Sequence, residues 1–381
     1  MRLASLRGFA LAIPFTAAFK HASAERAATQ SLWVEARSHS GAIGFGEGCP
    51  RDYVTGESLD SGREFIAAHR RDWLATIHDL GALVEWSARH RGEIDANPAA
   101  WTAVELALLD LLGRETRQSV ESLLGLAELS GSFRYTAVLG DASAARFEAQ
   151  VAKYVQTGFL DFKIKLSVDL ARDREKVRLL SAAGVSADRV RADANNLWID
   201  PAAAIRHLRD LDFPFCAVEE PLRAGDYVGM RRIAAALDTA IVLDESLVRA
   251  AQLEQLAESA ERWIVNLRVS KMGGLLRSLE FLDQARRQEV RVIIGAHVGE
   301  TSLLSRAALT VANSARDILI GQEGAFGNHL LTEDIVYPPI MFGAGGLLDV
   351  ARQKIIPGDG FGVAIAQPVP YVTPLDGAAA G

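Results

Sequence analysis

Cysteine is almost missing from this sequence of 381 residues, which contains only Cys49 and Cys216. Two thiols are too few for a disulfide framework or a cysteine-rich zinc site, and a reducing compartment is the simpler setting. No apolar run approaches the roughly twenty residues that a membrane-spanning helix needs, so no membrane association is expected. Positive charge is not in excess either: the formal net charge is −7, and no dense Lys/Arg stripe occurs. That argues against nucleic acid, because backbone binding needs clustered cations to displace phosphate counterions. A Gly-x-Ser-x-Gly elbow is absent. The glycine clusters at Gly343–Gly346 and Gly358–Gly362 do not sit between a strand and a helix, so they offer no dinucleotide or phosphate loop.

What remains is a well-mixed chain, 49% apolar and 23% charged, as expected for a globular protein with a sizeable core. Its length suits one (β/α)₈ barrel of roughly 250 residues plus a smaller domain. Near the start, Arg2 and Arg7 precede an apolar stretch from Gly8 to Phe19, and Ala22-Ser23-Ala24 resembles a cleavage site. Against a secretion signal, Pro14 interrupts the stretch, Lys20 and His21 follow it, and the chain runs on into a strand-like Gln30–Ala36. The expectation is therefore a cytoplasmic chain.

Residues 1–130 read as strand, loop, strand and then helices. Trp33–Ala36 and Ala42–Gly48 look extended, while Gly62–His90 and Trp101–Leu124 carry helical spacing, which is an α+β pattern. From Phe133 onward, short apolar or β-branched runs alternate with helical segments. The eight runs are FRYTAVLG, LDFKIKL, RVRADAN, FCAVEEP, AIVLDES, RWIVNLRVSK, VRVIIGAH and DILIGQE. Eight is the count that closes a (β/α)₈ barrel, with helices such as Asp169–Ala183 and Pro201–Asp210 between strands. The barrel is expected over 131–334. Residues 335–381 are expected to return to the N-terminal domain and to end in a disordered tail over Gly377–Gly381.

Polar residues close these runs at regular intervals. Lys165, Asp193, Glu219, Asp244, Lys271 and His297 follow one another at spacings of 28, 26, 25, 27 and 26 residues, about one βα unit each. Strand ends of a barrel converge on one mouth, so these six groups are expected to meet there. Three carboxylates from consecutive strands want a cation, and an all-oxygen donor set without cysteine favours Mg²⁺, or Mn²⁺, over zinc. Asn195 follows Asp193 by two positions and is expected to face the same side. The adjacent pairs Glu219/Glu220 and Asp244/Glu245 leave the choice of inward-facing acid open, the other member being a supporting residue. Lys163 and Lys165 share a face, and their mutual repulsion beside a cation is expected to depress their pKa values enough to yield a general base. Lys271, four strands away, would stand across the mouth. His297 is read as either a core residue or a substrate contact, and Trp198 as a loop wall of the site.

These residues resemble the enolase superfamily, in particular the muconate-lactonising branch of its mandelate racemase/muconate lactonising family. The motifs that carry the likeness are Lys163-Ile164-Lys165, Asp193-Ala194-Asn195, Val218-Glu219-Glu220-Pro221, Leu243-Asp244-Glu245-Ser246 and Ser270-Lys271-Met272-Gly273-Gly274. The resemblance implies a barrel with an α+β capping domain whose specificity loops lie near 19–31 and 51–58, so Phe19, His21 and Tyr53 become candidate substrate contacts. It also implies Asp193, Glu219 and Asp244 as Mg²⁺ ligands, Lys165 and Lys271 as the acid/base pair, Lys163 as an electrostatic helper, and assembly into a homo-oligomer.

Two departures bear on the substrate. Arg268 stands where many relatives carry lysine, and Gln322-Glu323-Gly324-Ala325-Phe326 lacks the paired aspartates of dipeptide epimerases, so dipeptide epimerisation is not expected. Glu323 is kept as a candidate substrate or supporting residue. The leading expectation is a racemase or epimerase of a small carboxylate or amino-acid derivative. The alternatives are a lactonising cycloisomerase or an acid dehydratase and, from another class, an aldolase-type barrel with a Schiff base on Lys271. A ligand-binding barrel without turnover is the non-enzymatic alternative.

Overall fold

The computed structural model describes residues 1–21, 24–353, 355 and 358–375, with backbone only at 17–21, 24 and 25. The chain opens with five strands: β1 (Leu3–Leu11), β2 (Pro14–His21), β3 (Ala24–Ala28), β4 (Ser31–Ser38) and β5 (Ile43–Gly48). β1, β4 and β5 form an antiparallel sheet, and Val372–Pro374 adds a fourth strand beside β1. β2 and β3 make a separate hairpin. The signal-like stretch is thus built into the fold, with Gly8 opposite Val34 and Leu11 opposite Ser31. Phe19 and His21 lie on the β2 backbone, and their side chains are outside the described residues, as is the tail over 377–381.

Helices α1 (Leu59–Thr76), α2 (Leu80–Arg89) and α3 (Pro98–Thr116) follow. The single helical span read over Gly62–His90 is two helices. Asp79 restarts the chain as an N-cap, its side chain accepting from Ala82 N at 2.8 Å. α3 begins with a proline at its first turn and ends where Arg117 takes a left-handed conformation, φ 56°. It is buried along nearly its whole length against β5. A Cβ on Gly46 would lie 2.0 Å from Ala103 O, so alternate glycines in Ile43–Gly48 let strand and helix backbones touch.

After β6 (Ser132–Arg134), eight parallel strands follow: β7 (Ala137–Leu139), β8 (Phe162–Lys165), β9 (Val190–Asp193), β10 (Ala217–Glu219), β11 (Ala240–Leu243), β12 (Trp263–Leu267), β13 (Arg291–Ile294) and β14 (Leu319–Gln322). They pair in chain order, and each lies within one of the eight runs read from the sequence. The sheet curls until its edges meet, where Thr136 N donates to Gln322 O at 2.8 Å and Tyr135 bridges Gln322 in parallel. This is a (β/α)₈ barrel. Ala217, Val242, Ile264 and Ile293 cluster two residues before Glu219, Asp244, Asn266 and Gly295, and form an apolar layer beneath the mouth.

Buried polar contacts fasten the N-terminal elements to the loops after β12 and β13. Glu47 accepts from Thr301 N and Oγ1, Cys49 N donates to Ser270 Oγ at 2.8 Å, and Arg51 donates to Val298 O at 2.7 Å. Toward the C-terminus, Phe361 N donates to Asp110 Oδ1 of α3 at 2.9 Å. Among the described residues no helix is long and apolar enough to cross a membrane.

Candidate active site at the barrel mouth

Side-chain alternation places Lys163 and Lys165 on the same side of β8, at the end where Asp193 closes β9 and Glu219 closes β10. Lys163 Nζ lies 3.1 Å from Asp193 Oδ2, 2.7 Å from Glu219 Oε2 and 3.1 Å from Glu323 Oε2. Lys165 Nζ donates to Asp193 Oδ2 and Asn195 Oδ1, both at 2.6 Å. Asn195 in turn donates its backbone N–H to Asp193 Oδ1 at 3.0 Å, from a left-handed conformation with φ 45°. The short polar side chain of asparagine tolerates that geometry.

The choice within each acid pair is visible in the contacts. Glu219 points to Lys163 and accepts from Asn266 Nδ2 at 3.2 Å. Glu220, at φ 40°, turns toward the next strand and accepts from Asp244 N, Ser246 N and Ser246 Oγ, each at 2.7 Å. It thereby holds the turn that presents Asp244. Asp244 Oδ1 lies 3.0 Å from Lys271 Nζ, and Oδ2 accepts from Arg268. Glu245 is partly buried, and its Oε2 has no hydrogen-bond partner among the described residues.

Lys271 does not end a strand. It sits in a short helical turn, Val269–Met272, just beyond β12. Its ammonium reaches back over the strand end to Asp244 O at 2.8 Å and Asn266 O at 2.6 Å as well as to the Asp244 carboxylate. Burial pulls the Lys271 pKa below the ordinary lysine value, and Arg268 adds to that pull against Asp244. Lys163 shifts in the opposite direction. Burial disfavours its charge, but Asp193, Glu219 and Glu323 outweigh burial and hold the pKa well above the lysine range. Asp193 shows the complementary effect: despite burial, Lys163 and Lys165 keep its carboxyl below the usual range. Burial pushes Glu219 up to about 7 against the pull of Lys163.

His297 is buried beyond β13. Its backbone N–H donates to Glu300 Oε1 at 2.7 Å, and neither ring nitrogen has a hydrogen-bond partner among the described residues. Burial, then Arg268, Arg51, Lys271 and Arg26, hold the imidazole well below its ordinary pKa, so it is neutral. Glu323 is fully engaged by Lys163 and by Arg191, whose Nη2 donates to Glu323 Oε1 at 2.8 Å and to Thr136 Oγ1 at 2.9 Å. Tyr53 stands in the short helix Asp52–Thr55, with the Arg26 guanidinium 5.8 Å from its ring centre. Trp198 is buried against His207 at 5.1 Å between ring centres, a packing contact.

Arg191, Asn266 and Arg26 escaped the sequence reading. Arg191 precedes Asp193 by two positions and Asn266 precedes Arg268 by two, so side-chain alternation was the available signal.

Among the described residues no group of three His, Cys, Asp or Glu side chains is arranged to hold one ion, and Lys163, Lys271 and Arg268 lie against the oxygens of Asp193, Glu219 and Asp244. The donor set nevertheless suits a hard dication: three buried carboxylates on adjacent strands, two of them within 3.1 Å of the Lys163 ammonium.

Known proteins resemble this chain over most of its length. An L-Ala-D/L-Glu epimerase of Bacillus subtilis is 28% identical over 84% of this chain and 87% of its own length. An N-succinyl-L-Arg/Lys racemase of Bacillus cereus is 25% identical over 84% and 86%. A crystal structure of a dipeptide epimerase from Enterococcus faecalis, complexed with Mg and the dipeptide L-Leu-L-Tyr, has the same fold, with a TM-score of 0.81 at 24% identity over 96% of this chain and all of that one. Residues 146–368, more than half of the chain, match the family described as enolase C-terminal domain-like, and the chain belongs to that family.

Proposed function

We propose that this chain is a Mg²⁺-dependent racemase or epimerase that moves the proton beside the carboxylate of a small acid, an amino-acid derivative in particular. The observation that carries the reading is the pair of lysines. Lys165 belongs to the second barrel strand and Lys271 follows the sixth, so four positions separate them in a closed ring of eight. In this reading the pair would flank one carbon held between them. Relatives named as a racemase and an epimerase support the same chemistry.

Asp193, Glu219 and Asp244 would hold the dication, which supplies charge neutralisation as a second negative charge develops on the substrate carboxylate. The chain's own residues do the rest. The amine of one lysine takes the Cα proton, and the ammonium of the other delivers a proton to the opposite face. Asp193 and Asn195 orient Lys165, while Asp244 O and Asn266 O orient Lys271. Lys163 balances the acids and stays charged. Glu220 supports the Asp244 turn, and His297 and the segments around 19–31 and 51–58 contact the substrate and exclude water. Mn²⁺ is expected to substitute for Mg²⁺, and the protein to act as a cytoplasmic homo-oligomer.

Incubation of a library of N-acyl amino acids and dipeptides in D₂O with Mg²⁺, followed by NMR and chiral chromatography, tests the reading. Deuterium at Cα with inversion supports it. Ring closure or loss of water would assign the site to a cycloisomerase or dehydratase, and borohydride trapping of a substrate on Lys271 would assign it to Schiff-base chemistry.

A further inference from the structure

The strand that carries Lys165 is fastened from behind by charges that the chemistry at the mouth does not use. The last pair of the β7–β8 ladder joins Leu139 to Ile164, one residue short of Lys165, which leaves the Lys165 carbonyl to another donor. Lys176 supplies it. This residue stands on the helix Leu170–Ala182 that follows β8, and its Nζ donates to Lys165 O at 2.7 Å. The same ammonium lies 2.9 Å from Asp173 Oδ1 and 2.9 Å from Asp141 Oδ1, so its three protons have three acceptors.

Asp173 fixes the turn beyond Lys165 as well. It accepts from Ser167 N at 2.9 Å and from Ser167 Oγ at 3.0 Å, and His207 Nε2 lies 3.1 Å from its Oδ2. The side chains of Lys176 and Asp173 are only 3% and 0% exposed. A buried ion pair is a weak route to stability, because desolvation offsets the attraction, whereas a charge with acceptors in three directions holds its neighbours in place. The neighbour held here is the backbone of Lys165, whose Nζ reaches Asp193 and Asn195. Lys271 is carried by another element, the turn Val269–Met272, and its ammonium is seated on Asp244 O and Asn266 O.

Resting on the function proposed above, we propose that Lys176 is a positioning residue for proton transfer on one face of the substrate. Held by Asp173 and Asp141, it clamps the Lys165 carbonyl and sets where the Lys165 amine stands beside the reacting carbon, while Lys271 is set independently. A displacement on the order of 1 Å at a reacting group costs about 10²-fold in rate. Loss of the clamp therefore falls on the enantiomer that Lys165 deprotonates and spares the other. General loss of stability does not produce that asymmetry, because unfolded protein lowers both rates alike.

The test is Cα deuterium exchange in D₂O with Mg²⁺, followed by NMR for each enantiomer separately, with the N-acyl amino acid or dipeptide that the full-length wild type exchanges fastest. Lys176→Met shifts the ratio of the two rates by about tenfold or more, in the sense in which Lys165→Met shifts it. Asp141→Ala removes one acceptor of Lys176 at a side chain 38% exposed, where the fold tolerates the change, and shifts the ratio in the same sense by less. Arg306→Met breaks a buried ion pair with Glu121 on the helix Ser302–Ser314 and lowers both rates without changing their ratio. An unchanged ratio in folded Lys176→Met, or in Asp141→Ala where Lys176→Met does not fold, overturns the inference and leaves the proposed function standing. An equal shift in Arg306→Met does the same. Absence of exchange by the wild type with every member of the library, or an unshifted ratio in Lys165→Met, overturns the proposed function and the inference with it.

Discussion

Lys163 and Lys165 are two positions apart on one strand, yet their surroundings differ. Lys163 is enclosed by three carboxylates that hold its pKa well above the lysine range, which suits the charge-balancing part proposed for it. Lys165 shares Asp193 and Asn195 at the less buried end of the strand. Glu220 never touches Lys163 but fixes the Asp244 turn with both carboxylate oxygens. Its replacement by Gln removes an acceptor from that turn and weakens Mg²⁺ affinity by about tenfold or more, as measured by titration, with little change in the circular dichroism spectrum. Asp244→Asn removes a donor oxygen itself and lowers affinity further.

At the scale of elements, the tightest constraint lies outside the barrel, where β5 meets α3. Gly46→Ala places a methyl group against Ala103 O and lowers stability by about 3 kcal/mol, read from urea unfolding. A value near zero would mean that the strand can shift away. The glycine spacing in Ile43–Gly48 was readable as an extended run, but the helix it serves was not, because the contact joins residues nearly sixty positions apart. The eight barrel strands were legible because each is a short apolar run, six of them followed by a polar group at a nearly constant interval. β1, β2 and β3 were not. Pro14 and the apolar stretch around it mimic a leader, and only the pairing of β1 with β4 and of β2 with β3 shows what they build. The site was legible to the same degree. The acids and lysines stood out by interval, whereas the helical turn of Lys271 departs from the strand-end pattern and the Arg191–Glu323 contact depends on ring closure across 132 residues.

For the whole molecule, the junction between the N-terminal sheet and the barrel carries a buried acid pair. Burial, with Glu47 nearby, pushes Glu300 up to about 8, and burial pushes Glu47 up to about 7. In the unfolded chain both titrate near 4.3. The folded state therefore favours their protonated forms, and their contribution is complete below the unfolded value and is lost as pH rises toward 8. The thermal midpoint falls between pH 5 and pH 8, and Glu300→Gln, a neutral isostere, flattens that fall by roughly 2 °C for each kcal/mol of linkage removed. An identical slope in the variant would place the pH dependence elsewhere.

Two lysines facing opposite sides of one carbon make a stereochemical claim, and the most direct measurement is Cα deuterium exchange with each enantiomer separately. Using whichever substrate the wild type turns over, exchange is followed by NMR in D₂O with Mg²⁺ for the wild type, Lys165→Met and Lys271→Met. Both variants should lose racemisation by about 10²–10⁴-fold. Each should retain exchange with only one enantiomer, and the retained enantiomer should differ between them. Retention of the same enantiomer by both variants, or full racemisation by either, would contradict the two-lysine account.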